Sequence, residues 1–251
     1  MIWPVYIPSK GRAETITTAR VLREGGVQAV IVAEPQEQAA YRLNNPLNNL
    51  LVLPQNNGGI VTVRNHILEH AKAAGHAWFW MMDDDIKGFY LVEQGKTHKR
   101  VAHAVLAFAQ GIIEEQGEEA AQAALEYQQY AWAAKTPYKT NSYCDVCVAV
   151  APGRVGHVRY RRELALKEDR DFTLQLLNSG KRVVRVTHAA FTCPKNGSNK
   201  GGLHAEYAQA GREAAASLRM QAAWPGVCEA VTKPDGRQDV KIHWAKAYQK
   251  S

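Results

Sequence analysis

Short apolar runs separated by stretches of helical period set the pattern of the first half of the chain. Trp3 to Ile7, Gln28 to Ala33 and Leu50 to Leu53 read as strands. The stretch ending near Glu24, closed by Gly25-Gly26, and the stretch Pro35 to Leu43 read as helices between them. That βαβαβ order predicts a parallel sheet. A longer helix follows from Ile60 to about Ala74, its apolar positions Ile60, Val63, Ile67 and Ala71 spaced for one face. Ala77 to Met82 is then six apolar residues without a break, the mark of a strand covered on both faces. It runs directly into Asp83-Asp84-Asp85.

The second half is less regular. Phe89 to Val92 predicts a short strand, Gln94 to Arg100 a polar loop, and His103 to Gln116 a helix with Val105, Phe108, Ala109, Ile112 and Ile113 on its apolar face. Glu118 to Ala134, rich in Ala, Gln and Glu, predicts a second helix. Together these make a helical insertion over about 98–134 at the rim of the site. Lys135 to Thr140 reads as a linker and Ser142 to Val150 as a strand. Phe172, Leu176 and Leu177 mark a helix stopped by Gly180. Val183 to Thr187 is a further strand, Thr192 to Gly202 a basic glycine-rich loop, His204 to Ala223 a helix, and Val240 to Trp244 a last strand.

Composition narrows the class. With 46% hydrophobic and 22% charged residues over 251 positions, the chain has the make-up of an ordinary globular protein, long enough for one large α/β domain, and no apolar run approaches membrane-spanning length. A formal charge of +7 favours a polyanionic partner. Met1-Ile2-Trp3-Pro4 does not begin a signal peptide. Of the four cysteines, Cys144 and Cys147 form a CxxC, but a strand would face them opposite ways, and Cys193 and Cys228 are isolated. Four reduced thiols in a cytoplasmic protein are expected.

The candidate chemistry gathers at strand ends. Three carboxylates after a buried strand sit where open α/β sheets bind ligands, and their mutual repulsion suits a hard divalent cation that also carries phosphate oxygens. A solvated acidic turn is the plain alternative. Ser9, Lys10 and Arg12 surround a small-residue turn between strand and helix, a layout that offers backbone N–H groups to an anion. Arg64 and Asn65 lie early in the long helix, where an arginine could clamp a diphosphate or lie exposed. Glu168, Asp169 and Asp171 fall in the first turn of a helix, whose dipole favours the ionised form; they suit either a cap or a general base. His243 is a strand residue whose ring could ligate a metal.

These pieces, in this order, resemble the GT-A fold of nucleotide-sugar glycosyltransferases, from Ile7 to Trp244. Ile7-Pro8-Ser9-Lys10-Gly11-Arg12 is similar to their first strand and donor turn, and Gly59-Ile60 to Arg64-Asn65 to the helix that approaches the donor. Asp83-Asp84-Asp85 resembles the DxD motif, Glu168-Asp169 the later acidic pair, and His243 the C-terminal metal ligand. The start, the Met-Asp-Asp-Asp-Ile core and the Lys-Glu-Asp-Arg-Asp-Phe segment resemble the phage and TET/JBP-associated enzymes that glycosylate hydroxymethylated pyrimidines in DNA. The resemblance implies one GT-A domain over 1–251, with a mostly parallel sheet, a donor half (about 1–92) and a catalytic half (about 141–251).

It also implies a nucleotide-sugar donor, most simply a UDP-sugar, held by Pro8, Ser9, Lys10, Arg12, Arg64, Asn65, Asp83, Asp84 and Lys200. Mn²⁺ or Mg²⁺ would sit on Asp83, Asp85 and His243. Asp169 would act as base in a single displacement, with Glu168 beside it and Asp171 as its rival, and the 195–202 loop would close over the donor. A retaining outcome, a glycan or protein acceptor, a metal-dependent nucleotidyltransferase and a basic DNA-binding module are the alternatives. No membrane association is expected.

Overall fold

The computed structural model describes residues 1–194, 209, 211–234 and 236–248. Its centre is a ten-stranded mixed sheet with helices on both faces, in the order β3-β2-β1-β4-β9-β7-β10-β5-β6, with β8 also on β10. The first half forms as its pattern predicts. Strands β1 (Val5–Pro8), β2 (Val30–Ala33), β3 (Asn49–Val52) and β4 (Phe79–Met82) are mutually parallel. Helices α1 (Thr17–Glu24), α2 (Gln38–Asn44) and α3 (Gly59–Ala73) connect them. All four residues of β4 are buried, as an unbroken apolar run requires.

Beyond β4 the sheet becomes mixed. Strand β9 (Cys147–Val150) lies antiparallel to β4, with Cys147 opposite Met82. It is flanked by β7 (Ala120–Tyr127), which runs parallel to the long strand β10 (Arg182–Thr192). The outer edge of β10 is shared by β8 (Tyr138–Thr140) and by β5 (Gly88–Glu93), which pairs with β6 (Lys96–Arg100). Gln94 and Gly95, both at positive φ (52° and 74°), turn that hairpin where the sequence suggests only a polar loop.

The largest departure from expectation is residues 118–134. Eight of them form β7, and only Gln128–Ala131 make a single helical turn, α5. Alanine favours helix by less than about 1 kcal/mol per residue, so position in the fold decides. β7 is a central strand between β9 and β10, with α4 (Ala102–Glu114) on one face and α6 (Glu168–Asn178) on the other. Its alanines are fully buried there. Its polar residues also find partners: Gln122 accepts from Thr173 at 2.9 Å, and Glu126 pairs with Arg185.

Two cores result, one on each face of the sheet. Leu22, Val105, Leu106 and Ala109 of α1 and α4 fill one; Ile67, Leu68, Phe172 and Leu176 of α3 and α6 fill the other. α1 and α4 meet at Gly25, where a Cβ would stand 2.5 Å from the Ala102 nitrogen. All four cysteines are free; Cys144 and Cys147 fall into opposite cores, but the strand expected over 142–150 begins only at Cys147, and Cys144 lies in the turn before it, with Val146 at a φ of 58°. The expected C-terminal strand belongs to a separate two-stranded sheet, β11 (Cys228–Thr232) with β12 (Gln238–Ile242). Asp239 ties it to the start of α6 through Lys167 (3.1 Å) and Arg170 (2.8 Å). Among the described residues no helix is long and apolar enough to cross a membrane.

Candidate active site

The aspartate turn after β4 is held from beneath by α1. The Thr18 hydroxyl donates to the Asp83 carbonyl (2.6 Å) and accepts from the Ile86 N–H (2.8 Å), and the Thr18 N–H donates to the Asp84 carbonyl (3.2 Å). Three bonds from one buried threonine thus fix which way each carboxylate points. Asp84 points inward. It is buried and accepts from the Ser9 hydroxyl (2.5 Å) and from the Arg12 guanidinium. Burial pushes its carboxyl up, against the pull of Ser9 and Arg12. Asp83 and Asp85 point outward, their side chains 37% and 25% exposed.

The first turn is built as a clamp on its own backbone. Ser9 N–H donates to Val32, Gly11 N–H to the Glu37 carboxylate (2.7 Å) and Arg12 N–H to the Tyr41 hydroxyl (3.3 Å). These donors are therefore spent internally, which corrects the expectation that they face an anion. α1 also starts only at Thr17, several residues after the turn. What the turn does present is Lys10, which bonds Glu34 (3.0 Å) and Asn57 (2.9 Å) at the carboxyl ends of β2 and β3. Burial raises the Glu34 carboxyl, and Lys10 and Asn57 more than reverse it, leaving it below the usual range. Pro8 ends β1 beneath this turn.

Arg64 joins the two acidic clusters. Its buried guanidinium stands 3.4 Å from Asp83 and 3.6 Å from Glu168, and its Nε has no hydrogen-bond partner. The cation lies over the Tyr160 ring (5.6 Å), which stacks on Phe172 of α6 (4.3 Å). Asn65 holds Tyr160 in place, donating to its carbonyl (2.8 Å) and accepting from its N–H (2.9 Å). Asn65 thereby spends both ends of its amide on the wall of the site.

The three first-turn acids of α6 have different surroundings. Asp171 is fully buried; Arg161, Gln175 (2.8 Å) and the Trp224 indole (2.9 Å) occupy both its oxygens. Glu168 is buried against Arg64, and burial pushes its carboxyl up while Arg64 pulls it down. Asp169 is partly exposed and accepts from the Arg170 N–H (2.7 Å). Its charge bears on Arg64, Glu168 and Asp83 together, so it lies within electrostatic reach of all three.

Crowding has a definite electrostatic result. Asp83 is pushed up to about 7, by the desolvation of its part-buried carboxyl and by Asp85, Asp84 and Asp169, with Arg64 opposing. A carboxylate this reluctant to ionise becomes a good partner for any added positive charge. Asp85 and Asp83 offer two outward carboxylates, a set that fits a hard cation whose other positions are filled by phosphate oxygens and water. Among the described residues no group of three or more His, Cys, Asp or Glu side chains is gathered to hold a metal. His243 is thus not brought to the aspartates; it precedes the last helical turn and donates its N–H to Val227 (2.9 Å). Lys200 and the 195–202 loop lie outside the described residues.

Sequence reading passes over Thr18, Glu34 and Tyr41. Glu34 alone carries a local signal, an acid at the carboxyl end of a predicted parallel strand.

No curated protein sequence matches the chain. Among solved structures, A197 from STIV is similar with a TM-score of 0.46 and 9% identity, over 96% of this chain and 94% of that one. A mannose-1-phosphate geranyltransferase from Thermus thermophilus gives a TM-score of 0.40 and 14% identity, over 76% and 74%. A family model, TET-Associated Glycosyltransferase, matches residues 3–202, a span holding every residue described above from the first turn to α6. The chain belongs to the TET-associated glycosyltransferase family and is a glycosyltransferase.

Proposed function

We propose that this enzyme moves a sugar from a nucleoside diphosphate sugar, with UDP as the expected nucleotide, to the hydroxymethyl group of a modified pyrimidine in DNA. The observation that carries the reading is the Arg64 bridge, which pairs with both Asp83 and Glu168 although these lie 85 positions apart in the chain. A transferase needs that arrangement, with the leaving diphosphate on one side and the base on the other. The family's association with TET enzymes and the net charge of +7 support a DNA acceptor.

In this scheme Lys10, Glu34 and Asn57 receive the nucleoside, and Arg12 and Arg64 face the diphosphate. Asp83 and Asp85 would hold a divalent cation, which supplies positive charge for the leaving group. Asp169 takes the proton from the acceptor hydroxyl as its oxygen attacks the anomeric carbon, and the configuration inverts. Glu168 orients a hydroxyl, and Arg64 stabilises the charge that grows on the departing diphosphate. Asp171 holds Arg161 and Trp224, so it supports the helix instead of acting as base.

Thermal unfolding with UDP, UDP-sugars and nucleoside triphosphates, with and without Mn²⁺, tests the donor half. A rise in melting temperature with UDP or a UDP-sugar, larger with the ion, is expected. A rise with triphosphates alone would replace the scheme by nucleotidyl transfer. Transfer of radiolabelled sugar to hydroxymethylcytosine or hydroxymethyluracil DNA, against unmodified DNA, tests the acceptor.

A further inference from the structure

A charged group that the scheme above leaves unused is Asp145, in the turn before β9. Because β9 is antiparallel to β4, this turn lies beside the aspartate turn, and the Asp83 N–H donates to the Val146 carbonyl at 2.8 Å. Val146 holds a φ of 58°, and Cys147 N–H closes back on the Asp145 carbonyl at 2.6 Å. A β-branched residue in the left-handed region is strained and persists only where surroundings force it. Here the strain aims the Asp145 side chain.

What it aims at is set by a buried cation. Arg185, in the apolar run of β10, has no exposed surface. It donates to Glu126 through Nε (3.2 Å) and Nη2 (2.8 Å), and to Asp145 Oδ1 through Nη1 (3.2 Å). The Tyr143 ring lies 4.0 Å from the guanidinium, and the Tyr127 hydroxyl donates to Asp145 Oδ2 at 3.0 Å. Glu126 alone would neutralise Arg185. The second carboxylate is held by two donors, keeps lone pairs to spare, and has 18% of its side chain exposed. Asp169 is near enough for its charge to bear on it.

Asp145 therefore lies in the turn that is hydrogen-bonded to the Asp83 backbone, and within the field of Asp169. In a single displacement the reacting carbon lies between the leaving phosphate and the incoming oxygen. A carboxylate fixed beside the aspartate turn, with part of its side chain exposed, is placed to meet the ring that is moved. We propose that Asp145 is a sugar-binding residue, accepting hydrogen bonds from hydroxyls of the transferred sugar, with Arg185 and Tyr127 as its positioning residues. The proposal rests on the transferase reading.

Calorimetric titration with Mn²⁺ present, comparing UDP with the UDP-sugar that the natural protein binds most tightly, tests it. A hydrogen bond to a charged acceptor corresponds to about tenfold or more in affinity. Asp145→Ala should lose about tenfold for the UDP-sugar and keep UDP affinity within about twofold. Tyr127→Phe, which loosens the carboxylate without deleting it, should lose about threefold for the UDP-sugar alone, and it serves if Asp145→Ala does not fold. Equal losses for UDP and UDP-sugar, an unchanged UDP-sugar affinity, or a natural protein to which the sugar adds no affinity would each overturn the assignment. A natural protein that binds no nucleotide would overturn the transferase reading itself, and this one with it.

Discussion

Arg64→Met separates the roles of charge and shape at the centre of the site. Methionine replaces the stem and still packs on Tyr160, so the change removes mainly the cation. Two carboxylates then lose their partner. Glu168 is 4% exposed and has no solvent to turn to, whereas Asp83 is 37% exposed and partly screened, so Glu168 carries most of the effect. Removing one member of a buried pair costs about 3–5 kcal/mol. The contacts here are 3.4 and 3.6 Å rather than tight and bidentate, which brings the expectation to about 2–4 kcal/mol. For a chain of this size that is about 4–16 °C in melting temperature.

The sign of its pH dependence follows from the carboxyls. Both are raised in the folded state, so each destabilises the fold when forced to ionise at high pH and does so less when protonated. The loss from Arg64→Met should therefore be largest near pH 8 and shrink towards pH 5, where Asp83, raised to about 7, and Glu168 take up protons. Thermal unfolding of both proteins at the two pH values measures it. A loss that is the same at pH 5 and pH 8, or below about 0.5 kcal/mol at both, would show that the guanidinium is held by packing and refute the electrostatic bridge.

Three further expectations follow from individual side chains. Asp169→Asn should abolish sugar transfer while leaving UDP affinity within about twofold; full activity would return the base to another carboxylate. Asp239→Asn should cost about 1–3 kcal/mol at pH 7, because buried Lys167 keeps only Glu213, at 3.5 Å, and Arg170 loses its carboxylate. Burial would raise Asp239, but Arg170, Lys233 and Lys167 hold it far below the usual range. Its contribution is thus complete above about pH 4 and lost as pH falls further, and the variant should show a flatter acid limb in unfolding. Ala123→Leu should destabilise by about 1–3 kcal/mol or prevent folding, since β7 is covered on both faces; a helix on the surface would tolerate it.

The sequence by itself determined the parallel block from β1 to β4, the aspartates at its end and the acids that open α6. Each of these is a local pattern: a short apolar run, a helical period, a carboxylate next to a strand end. It misassigned 118–134, because alanine's preference for helix is weak and the demand for small residues in a central strand arises only when β9 and β10 lie on either side. It also left the acids of each cluster indistinguishable. Asp84 and Asp171 are buried against Arg12 and Arg161, while Asp83 and Asp169 stay partly exposed, and nothing in the triplets themselves separates them. That difference comes from partners brought across the fold, as Arg64 is brought to Glu168 and Thr18 to Asp83. Local chemistry chose which residues could ionise; only tertiary packing decided which remained available to a substrate, because burial and pairing depend on neighbours that the chain supplies from far away.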